Sequence, residues 1–449
     1  MRRTNAVRTL WALILVLVIL VAGCGSKTDS QTGAVSINPA ELFADISTSI
    51  QQPVTRALDG WDWTSFIGNF GSLLINFSNT IEMRKVTYQS TGADGQSHTM
   101  TGLLVLPKAI FGGKPSVPIL MYQHGTEVYR PFSPSQYLSH RDRPTDYPEV
   151  MVAAAIAATG YAVALVDYEG MGDNTATQPH VVGEVLAQQV IDLLRSSRDI
   201  ITGTSSPCTW NNQLFLMGYS EGGFVTMAAT RELQLNHAAE FTVTASAPLS
   251  GPHDLSGVMR GVILSDNTFK SPYFVPMILT SYNYAYGALY NPATAMIAPF
   301  NTTIPPLFNG NIQSVTISEA MGMVFDPPAL IVAKSVLSPG FIAQLTDSTS
   351  PVVALLREND SYRLPGQLDS AWVPTVPLRM IHHPDDELVP FANSQTAFDA
   401  FITAGSVTVE LVAETAVIAI SSDPVKTVHV GSAFPELIRG WEWLDGFKQ

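Results

Sequence analysis

From residue 83 onward the apolar positions change period in a regular order. Residues 83–90 and 100–107 read as strands flanking the turn Gly92-Ala93-Asp94-Gly95, which predicts a β-hairpin. Short apolar runs at 117–122, 162–167, 213–217 and 241–245 then alternate with helical patterns at 147–159, 181–199 and 222–234. Apolar strands separated by helices predict βαβ crossovers and a parallel sheet covered on both faces. The rhythm stops after the segment 249–255, and residues 256–372 read as irregular and mostly helical, rich in Pro, Met and aromatic side chains. Strand patterns return at 376–381 and 407–412, and a helix is expected over 434–447. The predicted fold class is therefore α/β, a mostly parallel sheet flanked by helices. Its core has two parts, 81–255 and 373–449, interrupted by a large, mainly helical cap at 256–372.

The N-terminus follows a different logic. Arg2, Arg3 and Arg8 precede an unbroken apolar run over 10–21, shorter than the roughly twenty residues of a membrane-spanning helix. The run closes on Leu20-Val21-Ala22-Gly23-Cys24, which resembles a bacterial lipobox. That resemblance implies a lipoprotein signal peptide over 1–23, export through the general secretory route and lipidation of Cys24. The chain would then be anchored to a membrane of the bacterial cell envelope, facing the periplasm or the outside. Residues 24–80 read as a polar tether followed by an N-terminal segment that packs on the core.

Composition narrows the class. Hydrophobic residues make up 46% and charged residues 14%, which suits a large buried core and argues against disorder. The formal charge of −14 is scattered, with no basic stripe, so a nucleic-acid partner is not expected. Cys208 is the one other cysteine, so a lipidated Cys24 leaves no intramolecular disulfide. Its turn-rich setting, Ser205-Ser206-Pro207-Cys208-Thr209, reads as an inert thiol.

The chemistry concentrates at Gly218-Tyr219-Ser220-Glu221-Gly222. A predicted strand leads into it and a predicted helix leaves it, the strand–turn–helix setting of a nucleophile elbow. Glycines on either side of such a turn remove side chains that would collide as strand and helix close. A serine hydroxyl is a weak nucleophile and needs a base, and the base needs a carboxylate to orient it.

Several further segments resemble the α/β-hydrolase superfamily, and its secretory lipase and esterase branch in particular. Tyr122-Gln123-His124-Gly125-Thr126 is similar to the oxyanion turn, Asp167-Tyr168-Glu169-Gly170-Met171-Gly172 to a glycine-rich loop of that fold, and Asp386-Glu387-Leu388-Val389-Pro390 to the acid loop. The resemblance extends from about residue 80 to the C-terminus. It implies a triad in the chain order serine, acid, histidine. Ser220 would be the nucleophile, and His429 is the one histidine beyond the acid loop, in a loop ahead of the last helix. Asp386 is preferred as the acid, with Asp385 as the alternative, Glu387 weaker and Asp423 more distant. Backbone N–H groups of Glu221 and Thr126, or Gly125 in place of Thr126, would form the oxyanion hole. Glu221 departs from the family pattern by placing a negative side chain beside the nucleophile, which would disfavour anionic substrates. Tyr273, Phe274, Tyr282, Tyr284, Tyr286 and Tyr290 would either line an acyl pocket or form the core of the cap.

The resulting expectation is a serine hydrolase of carboxylic esters, without cofactor or metal, acting on a small-molecule or lipid ester. The alternatives are a serine peptidase of the prolyl-oligopeptidase type and a non-catalytic binding lipoprotein on the same fold.

Overall fold

The computed structural model of the chain describes residues 27–28, 35–37, 79–325, 328–418 and 427–449. The apolar N-terminal run, Cys24 and Asp423 lie outside the described residues. Strands β1 (Asn79–Thr91) and β2 (Ser97–Ala109) pair antiparallel, from Asn79 opposite Ala109 to Thr91 opposite Ser97. From Lys85 every second residue of β1 is exposed, as a half-buried strand requires. There follow β3 (Ser116–Gln123), α1 (Pro148–Ala158), β4 (Ala162–Val166), α2 (Gly183–Thr202), β5 (Thr209–Tyr219), α3 (Glu221–Asn236) and β6 (Ala245–Leu249). The cap then carries α4 (Phe274–Tyr286), α5 (Pro339–Thr346) and α6 (Pro351–Glu358) among shorter turns and three two-stranded ribbons. The core resumes with β7 (Leu378–His382), α7 (Ala392–Thr403), β8 (Val409–Ala413) and α8 (Val428–Asp445).

The eight strands lie in the order β1-β2-β4-β3-β5-β6-β7-β8, and two short strands, Lys27–Thr28 and Val35–Ile37, extend the sheet beyond β1. Every pairing from β4 to β8 is parallel, and β2 lies antiparallel to β4. This is the α/β-hydrolase fold. Alternate residues of each parallel strand serve opposite faces. Ile119, Met121, Leu214 and Leu216 pack with Leu186, Val190 and Leu194 of α2 and Phe224 of α3. Leu120, Tyr122, Phe215 and Met217 pack with Met151 and Ile156 of α1 and Phe434, Leu437 and Leu444 of α8. Fully burying one such side chain stabilises the fold by about 1.5–3 kcal/mol, so both helix layers are strongly held. In α1 every residue but Glu149 is buried, which explains its near-continuous apolar sequence.

Beyond the longer ends of the hairpin strands and of β5, two elements differ from the sequence expectation. Residues 241–244 precede the strand, which runs over Ala245–Leu249 instead of 241–245. Phe241 and Val243 are buried and so produce the alternation, but sheet pairing begins only where small residues allow a tight fit. A Cβ on Gly223 of α3 would stand 2.1 Å from the Leu249 carbonyl oxygen, and one on Gly440 of α8 would stand 3.3 Å from the Leu249 side chain. The last helix begins at Val428, six residues before the expected 434, with Thr427 capping the Val430 N–H. Pro435 therefore lies inside it. The Gly431 carbonyl, which an N–H at position 435 would have engaged, accepts from the Ile418 N–H at 2.9 Å.

The order β4-β3-β5 places a topological switch between β3 and β5. The crevice beyond their carboxyl ends is where this class of sheet binds ligands.

Candidate active site

Ser220 sits between β5 and α3 with φ 60° and ψ −122°. Such a geometry costs a non-glycine residue about 1–3 kcal/mol, and the surrounding main chain enforces it. The Ser220 N–H donates to the Leu249 carbonyl at 3.0 Å, and its own carbonyl accepts from Phe224 at 3.1 Å. A Cβ on Gly222 would lie 2.0 Å from the Gln123 carbonyl oxygen, and one on Gly218 would lie 2.5 Å from that same oxygen. The glycines are thus required by β3 passing directly beneath the turn.

His429 lies in the first turn of α8, not in a preceding loop, and brings its ring over Ser220. Its Nε2 is 2.8 Å from Ser220 Oγ and its Nδ1 is 2.5 Å from Asp386 Oδ2. A carboxylate at Nδ1 selects the tautomer with the proton there and leaves Nε2 as the acceptor of the serine proton. Asp386 is buried, and its other oxygen accepts the Leu388 and Val389 N–H groups at 3.0 and 2.9 Å. Burial pushes the Asp386 carboxyl up, but His429 and His382 outweigh it and hold the group well below the usual carboxylate range. Asp385 is exposed, and its N–H donates to His383 Nδ1 at 3.0 Å. Glu387 accepts the Val428 N–H at 3.0 Å and pairs with Lys270 at 3.2 Å, which pins the start of α8.

The loop after β3 lies against Ser220. Thr126, Ser220 and Glu221 line one cavity, with Leu255 and the cap residues Met259, Ile263, Phe269, Phe274 and Ile278 forming its apolar wall. The Gly125 N–H is committed to Glu149 Oε1 at 3.0 Å, which leaves Thr126 as the loop's better-placed donor. The Glu221 N–H is the first of α3, among those without an intrahelical acceptor. His124 is buried, with Nδ1 2.6 Å from the Gly125 carbonyl and its ring 4.4 Å from that of Tyr168.

The profile of the secretory lipase family matches residues 142–289. The rice cell wall degrading esterase LipA from Xanthomonas oryzae, in a ligand-bound crystal form, is 25% identical. The match covers 85% of this chain and 92% of that one, with a TM-score of 0.66. The chain has the α/β-hydrolase fold. A Legionella pneumophila protein described as a hydrolase shares the fold at 21% identity over 92% of this chain and 97% of its own, TM-score 0.71. Candida antarctica lipase A in its closed state does so at 14% identity over 76% and 73%, TM-score 0.55. A comparison with curated proteins gave no match. These matches group the hydrolase with the lipases and esterases, which cleave carboxylic esters.

Some features of the hydrolase site were not legible in its sequence. The Glu221 side chain does not project beside Ser220 as expected. It is buried, with an oxygen 2.8 Å from His180 Nδ1. Burial raises the Glu221 carboxyl, but His180, His124 and the Val181 backbone outweigh that and lower it. Behind His429, the Tyr219 hydroxyl donates to the His429 carbonyl at 2.5 Å, and His382 Nε2 donates to the Val389 carbonyl at 2.7 Å. Glu436 is fully buried, accepts the Ser250 hydroxyl at 2.8 Å and is pushed well above the carboxyl range by burial and by Asp386. Of the cap aromatics, Phe274 lines the cavity, whereas Tyr282 and Tyr290 pack on each other within the cap at 4.8 Å. The contacts of Glu221, Tyr219 and Glu436 join residues far apart in the chain, and no local motif announces them.

Proposed function

We propose that the hydrolase cleaves carboxylic esters through an acyl-enzyme on Ser220, with His429 as base and acid and Asp386 as the orienting carboxylate. The carrying observation is His429 held between Ser220 Oγ at 2.8 Å and Asp386 at 2.5 Å. Ser220 Oγ attacks the ester carbonyl while its proton passes to His429 Nε2, and the Asp386 carboxylate stabilises the imidazolium. The N–H groups of Thr126 and Glu221 receive the oxyanion, each contributing about 2.7–4 kcal/mol to the transition state. His429 returns the proton to the leaving alcohol. Water then repeats the sequence in reverse and frees the acid.

The cavity wall supports an apolar acyl group. The Glu221 carboxylate is buried against His180, so it does not offer the anionic partner that the free amine of a peptide would need. Export is supported by the secretory lipase match and by the apolar run after Arg8. Within this reading Cys24 carries lipid that tethers the enzyme to a membrane. Among the described residues, no helix is long and apolar enough to cross one.

A fluorophosphonate probe should label the wild type and leave Ser220→Ala unlabelled, with unchanged thermal stability. Equal labelling of both removes Ser220 as nucleophile. Aminoacyl amides turned over faster than acyl esters would move the enzyme to the peptidase reading. Metabolic labelling with a fatty acid should mark the wild type and not Cys24→Ala.

A further inference from the structure

The turn that joins β1 to β2 carries a second cluster of titratable side chains. Asp94 Oδ1 lies 2.9 Å from His98 Nε2, and that nitrogen lies 3.7 Å from Oε1 of Glu169 in the loop after β4. One donor atom from each of the three falls within 4.8 Å of the others. Glu169 is fully buried, and its second oxygen accepts the Ala93 N–H at 2.9 Å, which turns Oε1 toward His98. The main chain is cut back to allow this meeting. A Cβ on Gly92 would stand 2.4 Å from Glu169 Oε1 and 2.5 Å from the His98 ring. The cap reaches the same point, since Tyr284 of α4 donates its hydroxyl to Glu169 Oε1 at 2.7 Å. Two carboxylates therefore face one imidazole, and among the described residues neither pairs with a lysine or arginine.

The geometry points to a site for one first-row divalent cation of the zinc class, held by Asp94, His98 and Glu169. Donor atoms bound to such an ion at about 2.0–2.2 Å stand roughly 3–4 Å from one another, and the contacts to His98 sit at or close to that range. A nitrogen among oxygens favours zinc over calcium, which takes six to eight oxygen ligands. Asp94 and His98 are partly open to solvent, so water can enter and complete the shell. The cation would neutralise the paired carboxylates, and the Tyr284 hydroxyl would orient the Glu169 ligand from outside the shell. Tyr284 shares α4 with Phe274, Val275 and Ile278, which line the cavity over Ser220. The ion thus fastens the wall of that cavity to the β1–β2 turn. This assignment does not rest on the ester-hydrolase reading, because its test measures metal.

Untagged protein is stripped with EDTA, reloaded with Zn2+, desalted and counted for metal by mass spectrometry. The wild type should retain one Zn2+ per chain, and His98→Ala and Asp94→Ala should retain none. Zinc should raise the melting temperature of the wild type and leave that of both variants unchanged. Tyr284→Phe should keep the ion and show a smaller rise. Asp94 lies on an exposed turn, so its variant carries the test should His98→Ala fold poorly. No zinc on the wild type, equal zinc on wild type and both variants, or calcium retained in preference to zinc overturns the site.

Discussion

The floor and the wall of the cavity are built by different means. The floor is main chain against main chain: β3 under the elbow, Leu249 against Gly223, and glycines wherever a Cβ would fall within about 2–2.5 Å of a carbonyl oxygen. The wall is side chain against side chain, with Leu255, Met259, Ile263 and Phe274 meeting across the space above Ser220. Main-chain contacts cannot yield by changing rotamer, whereas packed side chains can. The floor therefore tolerates almost no change, and the wall is the part that can vary to suit a substrate.

The sharpest way to break this contrast is at Gly222. Gly222→Val forces a side chain into the Gln123 carbonyl, and we expect loss of soluble folded protein, scored by yield and circular dichroism. Folded, active Gly222→Val would mean that the floor is softer than argued. Next comes the acid loop. Asp386→Asn should lower kcat about 10⁴-fold with the melting temperature little changed, by analogy with other triads. Asp385→Asn, on the exposed neighbour, should stay within about twofold.

A third test addresses the root of the cap. Asp360 accepts the Ser256 N–H and hydroxyl at 2.9 and 2.6 Å and so ties the exit of the cap to its return. Burial lifts its carboxyl to about 6 despite hydrogen bonds from Ser256 and Arg363. With the folded value above the unfolded one, the folded state binds the proton more tightly. The stability it contributes is complete below about pH 4 and is lost as pH rises toward 6, on the order of 2 kcal/mol. Denaturant titrations across that window should show the decline in wild type and a shallower one in Asp360→Asn. The smallest effect is expected at the wall. Ile263 is only half-buried, so Ile263→Ala should raise KM about tenfold for long acyl esters, with kcat and short esters nearly unchanged. An equal loss on every chain length would place Ile263 outside the acyl path.

The same contrast explains what the sequence disclosed. Gly218, Ser220 and Gly222 are legible because main-chain approach dictates residue type, and the parallel strands because both faces are buried. The elements misjudged are those where tertiary contact overrides a local signal. Residues 241–244 alternate like a strand because Phe241 and Val243 are buried before pairing starts. The last helix runs through Pro435 because Ile418 takes the carbonyl that the proline leaves open. His180 meets Glu221 from 41 positions away, so the carboxylate that read as a substrate filter is instead buried.

One short loop holds more than an acid. Asp386 engages the His429 ring while Glu387, the next residue, engages the N-terminus of the helix that carries it. On the proposed roles, acid and base are therefore held together as a single cassette. Of the two junctions in the relay, one is preassembled within a rigid part. The enzyme must keep only the other, between His429 and Ser220, in alignment as it works.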